Sequence, residues 1–293
     1  MPDANRGMNI AAGRIETPSG QGLAFDSVGE GKPVILLHGG GQTRHSWAKT
    51  ASSLAGLGYR AISVDARGHG ESDWAGRYSL SLFAEDLRAV IATLKPGEAP
   101  AIIGASLGGL SAIVALGSDN PPPASALVLV DIATRIKSEG ARQIRDFMRA
   151  HADGFTTVEE AADAVAEYMT DRPRPKDPSG LRKNLRKRDG RLYWHWDPSF
   201  LSGGKEADPD IERTDLDVLT ERLVLPVLLV RGEHSKVIDE NSIAHFRELV
   251  PHVETAEVSG AGHMVAGDAN SPFADAIIGF LAKHYPAQNT GQQ

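Results

Sequence analysis

Ser106 lies at the centre of the sequence GASLG (residues 104–108), between the apolar run AIIGA and the helical pattern GLSAIVAL. Small residues around a serine at a strand-to-helix turn are typical of a nucleophile, because glycines let the backbone turn tightly without a Cβ clash. The first N–H groups of the following helix then face any negative charge that develops beside the serine. The pattern predicts nucleophilic catalysis by Ser106, with a chance glycine-rich turn as the alternative.

His263 follows the last predicted strand, within the sequence SGAGHM (residues 259–264). A neutral imidazole on a glycine-rich loop can approach a serine and accept its proton. Its place after the last strand, in the chain order nucleophile then histidine, distinguishes it from the others among the ten histidines. We therefore predict that His263 is the general base and that the remaining histidines are mostly surface or structural residues.

A run of glycines, HGGG (residues 38–41), ends the earlier apolar run PVILL. Residues without side chains let a backbone N–H group approach a substrate oxygen, as an oxyanion hole requires. We predict that the N–H groups of Gly40 and Leu107 form this hole, and that Gly41 lines the substrate pocket. A simple glycine turn is the alternative, and His38 is expected to be a structural hydrogen-bonding residue.

The elements that must position these residues follow from hydrophobic patterning. Apolar runs that predict buried strands are PVILL (33–37), YRAISV (59–64), AIIGA (101–105), ALVLV (126–130), PVLLV (226–230) and VETAEV (253–258). Amphipathic stretches separate them, such as the helical pattern from Leu82 to Leu94 behind an expected Ser79 cap. Two earlier extended pieces, 14–17 and 23–28, predict a hairpin. This alternation predicts an α/β fold with a mostly parallel twisted sheet flanked by helices.

One interval, residues 133–220, breaks the alternation with many charges, no apolar strand and a few helical patterns. We predict that it is a helical cap (lid) inserted into a core domain formed by residues 1–132 and 221–293. Its basic stretch, 180–191, is expected to be a solvated helix face, with a steering patch for an acidic substrate as the alternative. The basic residues of this stretch are Arg182, Lys183, Arg186, Lys187, Arg188 and Arg191, with Arg174 upstream.

Aromatic residues are dense in the following sequence YWHWDPSF (193–200). Such residues can form the core of a small cap or line an apolar acyl pocket, and we expect Trp194 and Trp196 to do both. Trp47, shortly after the glycine run, is a further predicted pocket residue with the same two alternatives.

Taken in order, the motifs resemble those of the α/β-hydrolase superfamily: strand-HGGG, ISVDARGHGES (62–72), GASLGG (104–109), LVRGEHSKV (229–237) and GAGHM (260–264). The resemblance covers roughly residues 20 to 285 without the cap, and it implies the α/β-hydrolase fold with a structural role for Asp65 and the RGHGES turn. It is specific for the fold and much less so for the substrate.

The third member of the catalytic triad departs from the commoner pattern of that family. Relatives usually place an aspartate after the strand that corresponds to VLLVR, where this chain has Ser235, which cannot stabilise an imidazolium as a carboxylate does. Some relatives carry the acid at the end of the preceding strand, where this chain has Asp131. Neighbouring strand tips lie about 4.8 Å apart, so Asp131 could approach the imidazole. We predict Asp131 as the acid, with a helix-cap or turn role as its alternative and Glu233 and Asp239 as rivals.

The reaction implied is acyl transfer to water: hydrolysis of a small, partly apolar carboxylic ester or lactone through an acyl-enzyme. A serine nucleophile disfavours epoxide hydrolase and haloalkane dehalogenase chemistry. Carbon–carbon bond hydrolysis, cofactor-free haloperoxidase-like or perhydrolase chemistry, and a slow-turnover ligand receptor on the same scaffold remain open. No metal site and no organic cofactor are expected, since the chain has no HExxH motif and no Cys/His cluster.

The amino-acid composition limits the class of protein and the kinds of chemistry that remain possible. The 293 residues are 41% hydrophobic and 24% charged, as in an ordinary globular protein. A net charge of −7 argues against nucleic-acid binding, and the absence of cysteine excludes disulfides and thiolate chemistry. The N-terminus lacks the apolar core of a secretory signal and no apolar run is long enough to span a bilayer. We expect a cytoplasmic, soluble enzyme whose partner is a small-molecule substrate; homo-oligomerisation stays open.

Overall fold

The computed structural model describes residues 10–95, 97–169, 174, 176–201, 213–260 and 271–287. Ten strands lie in these ranges: β1 (Ile10–Glu16), β2 (Gly22–Val28), β3 (Lys32–Leu37), β4 (Tyr59–Val64), β5 (Ala101–Ala105), β6 (Ala126–Val130), β7 (Leu185–Arg188), β8 (Arg191–Trp194), β9 (Val227–Gly232) and β10 (Glu254–Val258). Eight of them form one sheet in the order β1-β2-β4-β3-β5-β6-β9-β10. The pairs β1–β2 and β2–β4 are antiparallel and the other neighbours are parallel. The predicted mostly parallel sheet and its N-terminal hairpin are confirmed.

Eight α-helices lie in the described residues: α1 (Ala48–Gly56), α2 (Leu80–Ala92), α3 (Leu107–Leu116), α4 (Ser138–Arg149), α5 (Val158–Tyr168), α6 (Arg213–Glu221), α7 (Glu240–Leu249) and α8 (Ser271–His284). Helices α1 and α8 pack on one face of the sheet and α2, α3, α6 and α7 on the other, whereas α4 and α5 lie in the interval predicted to be a cap. The predicted cap of α2 is present, because the Ser79 hydroxyl accepts a hydrogen bond from the N–H of Leu82 at 3.2 Å. None of the helices in the described part of the chain is long and apolar enough to cross a bilayer.

Two apolar cores result, one on each face of the sheet. One core joins strand residues to apolar side chains of α2, α3 and α7, among them Leu87, Ile113 and Phe246. The other joins the opposite faces of the same strands to α1 and α8, for example through Leu54 and Ile277. Strands buried on both faces explain why their sequences are continuous apolar runs rather than alternating ones.

The carboxyl ends of the parallel strands β3, β5, β6, β9 and β10 meet at one edge of the sheet, because parallel neighbours run in the same direction. Polar side chains that follow different strands are therefore brought together there. In open α/β sheets this edge is where ligands bind.

The interval that was predicted to be a helical cap contains α4 and α5, but also the antiparallel hairpin β7–β8. The expectation of a basic helix over residues 180–191 is wrong, since a 3₁₀ turn at Ser179–Asn184 leads directly into β7. A run of charged residues does not reveal its cross-strand partner, and here that partner is the aromatic strand β8. These elements share an apolar cluster that includes Met148, Phe155, Trp194 and Trp196.

The end of the predicted cap, residue 220, falls inside α6. Two leucines of α6, Leu216 and Leu219, pack on the sheet core that α3 also covers. The division of the chain into core and cap at residues 132/133 and 220/221 stays a prediction.

Candidate active site

Ser106 occupies the tight turn between β5 and α3, with φ 45° and ψ −112°. A non-glycine residue in this region of backbone space is strained, and such strain concentrates at functional sites. The surrounding backbone leaves no room for larger residues: a Cβ placed on Gly108 would lie 2.6 Å from the carbonyl oxygen of Leu37. The Ser106 N–H donates to the carbonyl of Val130 at 3.2 Å, which ties the turn to the neighbouring strand. This is the local geometry that a nucleophile elbow requires.

The glycine run forms a braced loop beside Ser106. Gly41 has φ +75°, a conformation that favours glycine. The Gln42 side chain accepts a hydrogen bond from the Gly39 N–H at 2.9 Å, and the Gln42 N–H donates to the Gly39 carbonyl at 3.1 Å. Gly40, one predicted oxyanion donor, lines the same cavity as Ser106.

Leu107, the other predicted donor, also lines this cavity and is the first residue of α3. The N–H groups of the first helical turn have no acceptor within the helix and carry the positive end of its dipole. The N–H of Leu107 is therefore suited to bind an oxyanion formed at Ser106.

Asp131 is the first residue after β6, and it lies directly beside Ser106, the first residue after β5. Ala105 and Val130 are paired across β5 and β6, so the residues that follow them emerge from adjacent strands. Asp131 is fully buried, has φ 52°, and its N–H donates to the Val230 carbonyl at 2.7 Å. Two strained residues at adjacent strand ends indicate that the surrounding structure holds both in place.

Ser235 occupies the position where relatives usually carry the acid, and it contacts Asp131. The Ser235 hydroxyl accepts hydrogen bonds from the N–H groups of Val237 and Ile238, both at 3.1 Å, and donates to Asp131 Oδ2 at 2.7 Å. The Gly232 N–H donates to Asp131 Oδ1 at 3.2 Å. Both oxygens of Asp131 therefore accept hydrogen bonds, which orient the carboxylate at the end of β6.

The two rival acids have other partners. Glu233 is exposed and accepts a hydrogen bond from the Gly260 N–H at 2.7 Å. Asp239 caps α7: its Oδ1 accepts the Ser242 N–H at 3.0 Å, and these hydrogen bonds lower the pKa of its carboxyl. Both carboxylates therefore have local structural roles, and Asp131 is the buried carboxylate at the strand end next to the nucleophile.

The predicted base, His263, lies in residues 261–270, outside the part of the chain that the structure describes. The preceding strand β10 ends at Val258, which pairs with Gly232 at the end of β9. The chain therefore enters residues 261–270 from the sheet edge that carries Ser106 and Asp131.

A cavity of about 480 Å³ opens over Ser106. Its floor is formed by the glycine loop and the start of α3, and its other walls come mainly from apolar residues of the predicted cap. Those cap residues include Ile144, Phe147, Met148, Val165, Trp194, Trp196 and Phe200. The cavity brings together Ser106, Gly40, Gly41, Leu107, Trp194 and Trp196 from the predicted set. A mainly apolar cavity with a few polar groups is typical of a small-molecule site.

The sequence matches the family model described as alpha/beta hydrolase fold over residues 32–269. The chain is an α/β hydrolase.

Several relatives of this α/β hydrolase are esterases or other hydrolases. The esterase Rv0045c of Mycobacterium tuberculosis is 31% identical over 262 residues, covering 86% of this chain and 84% of the relative. A 2-(acetamidomethylene)succinate hydrolase of Mesorhizobium japonicum is 30% identical over 212 residues, covering 71% of this chain and 73% of the relative. The crystal structure of an E-2-(acetamidomethylene)succinate hydrolase matches with a TM-score of 0.81 over 93% of this chain and 99% of that chain, a likeness of fold alone at 23% identity.

Trp47 does not line the cavity of the α/β hydrolase, so this predicted pocket residue needs correction. Its side chain is fully buried and stacks on Phe273 with ring centroids 6.4 Å apart, within the core on the α1/α8 face of the sheet. The 3₁₀ turn at Arg44–Trp47 directs the indole inward. Closeness in sequence to the glycine loop does not determine on which side of the backbone a side chain points.

His195 is a residue near the site whose role sequence reasoning missed. Its Nδ1 accepts the Gly70 N–H at 2.8 Å, so the proton is on Nε2, which donates to the Gly41 carbonyl at 3.2 Å. Burial, with the neighbouring His69 and His38, lowers the pKa of His195 and keeps the ring neutral. His195 thus connects the segment after β8 to the glycine loop beside Ser106. The signal in the sequence was a histidine between two tryptophans.

The rings of His38, His69 and His195 contact one another in series, with centroid distances of 5.3 and 5.8 Å and tilted ring planes. Burial is the main cause that lowers the pKa of His69 to about 3, so it too is neutral. Within the described residues, no group of three or more His, Asp or Glu has the geometry of a metal site. The three rings are in contact, and the hydrogen bonds of His195 to Gly70 and Gly41 connect the segment after β8 to the core.

We expect Trp196→Ala to lower stability by about 3 kcal/mol and to shift ester preference toward longer acyl chains. Trp196 is 4% exposed, stacks on Trp194 at 5.1 Å and lines the cavity, so truncation removes packing and enlarges the cavity. Thermal unfolding and kcat/KM across an acyl series measure the two effects. Trp194→Phe is the matched control, since it keeps a ring in the stack and removes an indole N–H that has no partner among the described residues. An equal loss for all chain lengths would mean that Trp196 serves only the cap core.

Proposed function

We propose that this α/β hydrolase cleaves a small, partly apolar carboxylic ester or lactone through an acyl-enzyme on Ser106. The observation that carries the proposal is the strained Ser106 turn at the floor of a mainly apolar 480 Å³ cavity, beside the first N–H of α3. The relative from Mycobacterium tuberculosis, which is an esterase, supports ester cleavage within the family.

In the proposed mechanism, His263 accepts the hydroxyl proton as the Ser106 oxygen attacks the carbonyl carbon. The N–H groups of Gly40 and Leu107 donate to the oxyanion of the tetrahedral intermediate. Collapse breaks the ester bond, and the proton passes from His263 to the leaving alcohol. A water molecule then loses a proton to His263 and attacks the acyl-enzyme, which regenerates Ser106. Asp131 accepts a hydrogen bond from the imidazole and stabilises its charged form.

The proposal predicts turnover of p-nitrophenyl esters with a preference for chains longer than acetyl. Each added methylene that is buried in the apolar cavity contributes about 0.8 kcal/mol, which is about fourfold in kcat/KM until the cavity is filled. Release of p-nitrophenolate across an acetyl-to-decanoyl series, together with a lactone series followed by pH, measures this preference.

Two other outcomes of the same assay would contradict the proposal. A single burst of p-nitrophenolate, equal in concentration to the enzyme and followed by no further turnover, would instead favour a ligand receptor on the hydrolase scaffold. No acyl transfer to Ser106 from any ester or lactone would leave carbon–carbon bond hydrolysis as the better account.

A further inference from the structure

Two cationic side chains, Arg145 and Lys183, line the otherwise mainly apolar cavity above Ser106. Arg145 lies on α4 with Ala141, Ile144 and Met148, which line the same cavity at the three- and four-residue spacing of one helix face. Both cationic residues are also exposed, so they stand where the cavity opens to solvent.

Among the described residues that line the cavity, these two cationic side chains have no acidic counterpart. No ion pair joins Arg145 or Lys183 to another residue within the described ranges, whereas Arg142 on the same helix pairs with Glu139 at 2.6 Å. The described lining of the cavity therefore carries net positive charge, which attracts anions.

We propose that the substrate carries a carboxylate at the end remote from the scissile bond, and that Arg145 and Lys183 bind it. The planar guanidinium can bind both oxygens of a carboxylate, while the ammonium supplies a further charge-assisted hydrogen bond. The apolar residues that line the same cavity as these cations and Ser106 suit the hydrocarbon part of such an acyl group. The inference rests on the proposed ester hydrolysis and adds its substrate class.

The test compares two p-nitrophenyl esters of equal length: the hemi-ester of adipic acid and an ester whose acyl chain ends in an isopropyl group, the neutral shape match of a carboxylate. We expect the hemi-ester to have the higher kcat/KM by about tenfold, since a hydrogen bond to a charged group contributes about 1.5 kcal/mol. The preference should fall as salt is raised, because screening weakens interactions at exposed sites.

Arg145→Gln and Lys183→Gln should each lower the ratio of the two kcat/KM values by about fivefold, because each variant removes one partly exposed ion pair with the carboxylate of the substrate. Arg142→Gln and Arg182→Gln are matched controls: each removes a charge next to one of the two residues but outside the cavity lining, and should leave the ratio unchanged.

Four outcomes would overturn the inference. Equal kcat/KM for the two esters, or a ratio that both cavity variants leave intact, would refute it while the proposed ester hydrolysis stands. A ratio that falls in the controls as much as in the cavity variants would show a general effect of net charge. Failure to cleave either ester would refute the proposed function, and the inference would fall with it.

Discussion

Ser106→Ala should reduce ester hydrolysis by about 10⁶-fold, the loss seen when the nucleophile of a serine triad is removed. The hydroxyl supplies the atom that bonds to the acyl carbon, and no other group at the Ser106 turn can replace it. Little stability should be lost, because alanine keeps the Cβ and the backbone bonds that hold the turn, including the N–H to Val130. Labelling by a fluorophosphonate probe, with thermal unfolding measured in parallel, checks both parts.

Ser46→Ala is the control for that experiment. Ser46 also lines the cavity, but its hydroxyl donates to the Thr43 carbonyl at 2.8 Å within a structural turn. Labelling and turnover should persist in this variant. Probe labelling that survives in Ser106→Ala would mean that the nucleophile is another residue.

Asp131→Asn should lower kcat by at least about 10²-fold at neutral pH with little change in KM; the same exchange in serine-protease triads costs about 10⁴. The amide keeps the shape of the carboxylate, and its single oxygen can still accept from one of the two donors, the Gly232 N–H or the Ser235 hydroxyl, so the fold should persist. What is lost is the negative charge that selects the histidine tautomer and stabilises the imidazolium in the transition state. Steady-state kinetics on the best ester of the acyl series show whether the substitution changes kcat, KM or both.

Three variants of the neighbouring loop test the assignment of the acid. Ser235→Ala should lower kcat less than Asp131→Asn does, since it removes one hydrogen-bond donor to the Asp131 carboxylate and leaves the negative charge in place. Asp239→Asn is a conservative control, because asparagine caps helices as well as aspartate and α7 should remain intact. Glu233→Gln should also retain most activity. An active Asp131→Asn together with an inactive Glu233→Gln or Asp239→Asn would place the acid after β9.

The architecture could be predicted from the sequence because its causes are local. β4, β5 and β6 coincide with continuous apolar runs, and the Ser79 cap and the glycines around Ser106 are visible within a few residues of the elements they start. Parallel order then follows from alternating strands and helices, and the parallel strands bring Ser106 and Asp131 to the same edge of the sheet. The nucleophile turn and the mostly parallel sheet were therefore predictable before any coordinates.

Tertiary structure alone decided the features that depend on long-range contacts. The strand β7 exists because it pairs with β8, although its basic sequence by itself resembles a solvated helix face. Trp47 packs against Phe273, more than two hundred residues away in sequence, so its burial could not follow from its place after the glycine run. The donors that reach Asp131 come from the end of β9 and the turn after it, and the histidine that hydrogen-bonds Gly41 comes from the segment after β8. The spacing of hydrophobic residues and the residue preferences of turns are local properties of the sequence, whereas these contacts form only when distant segments of the chain meet.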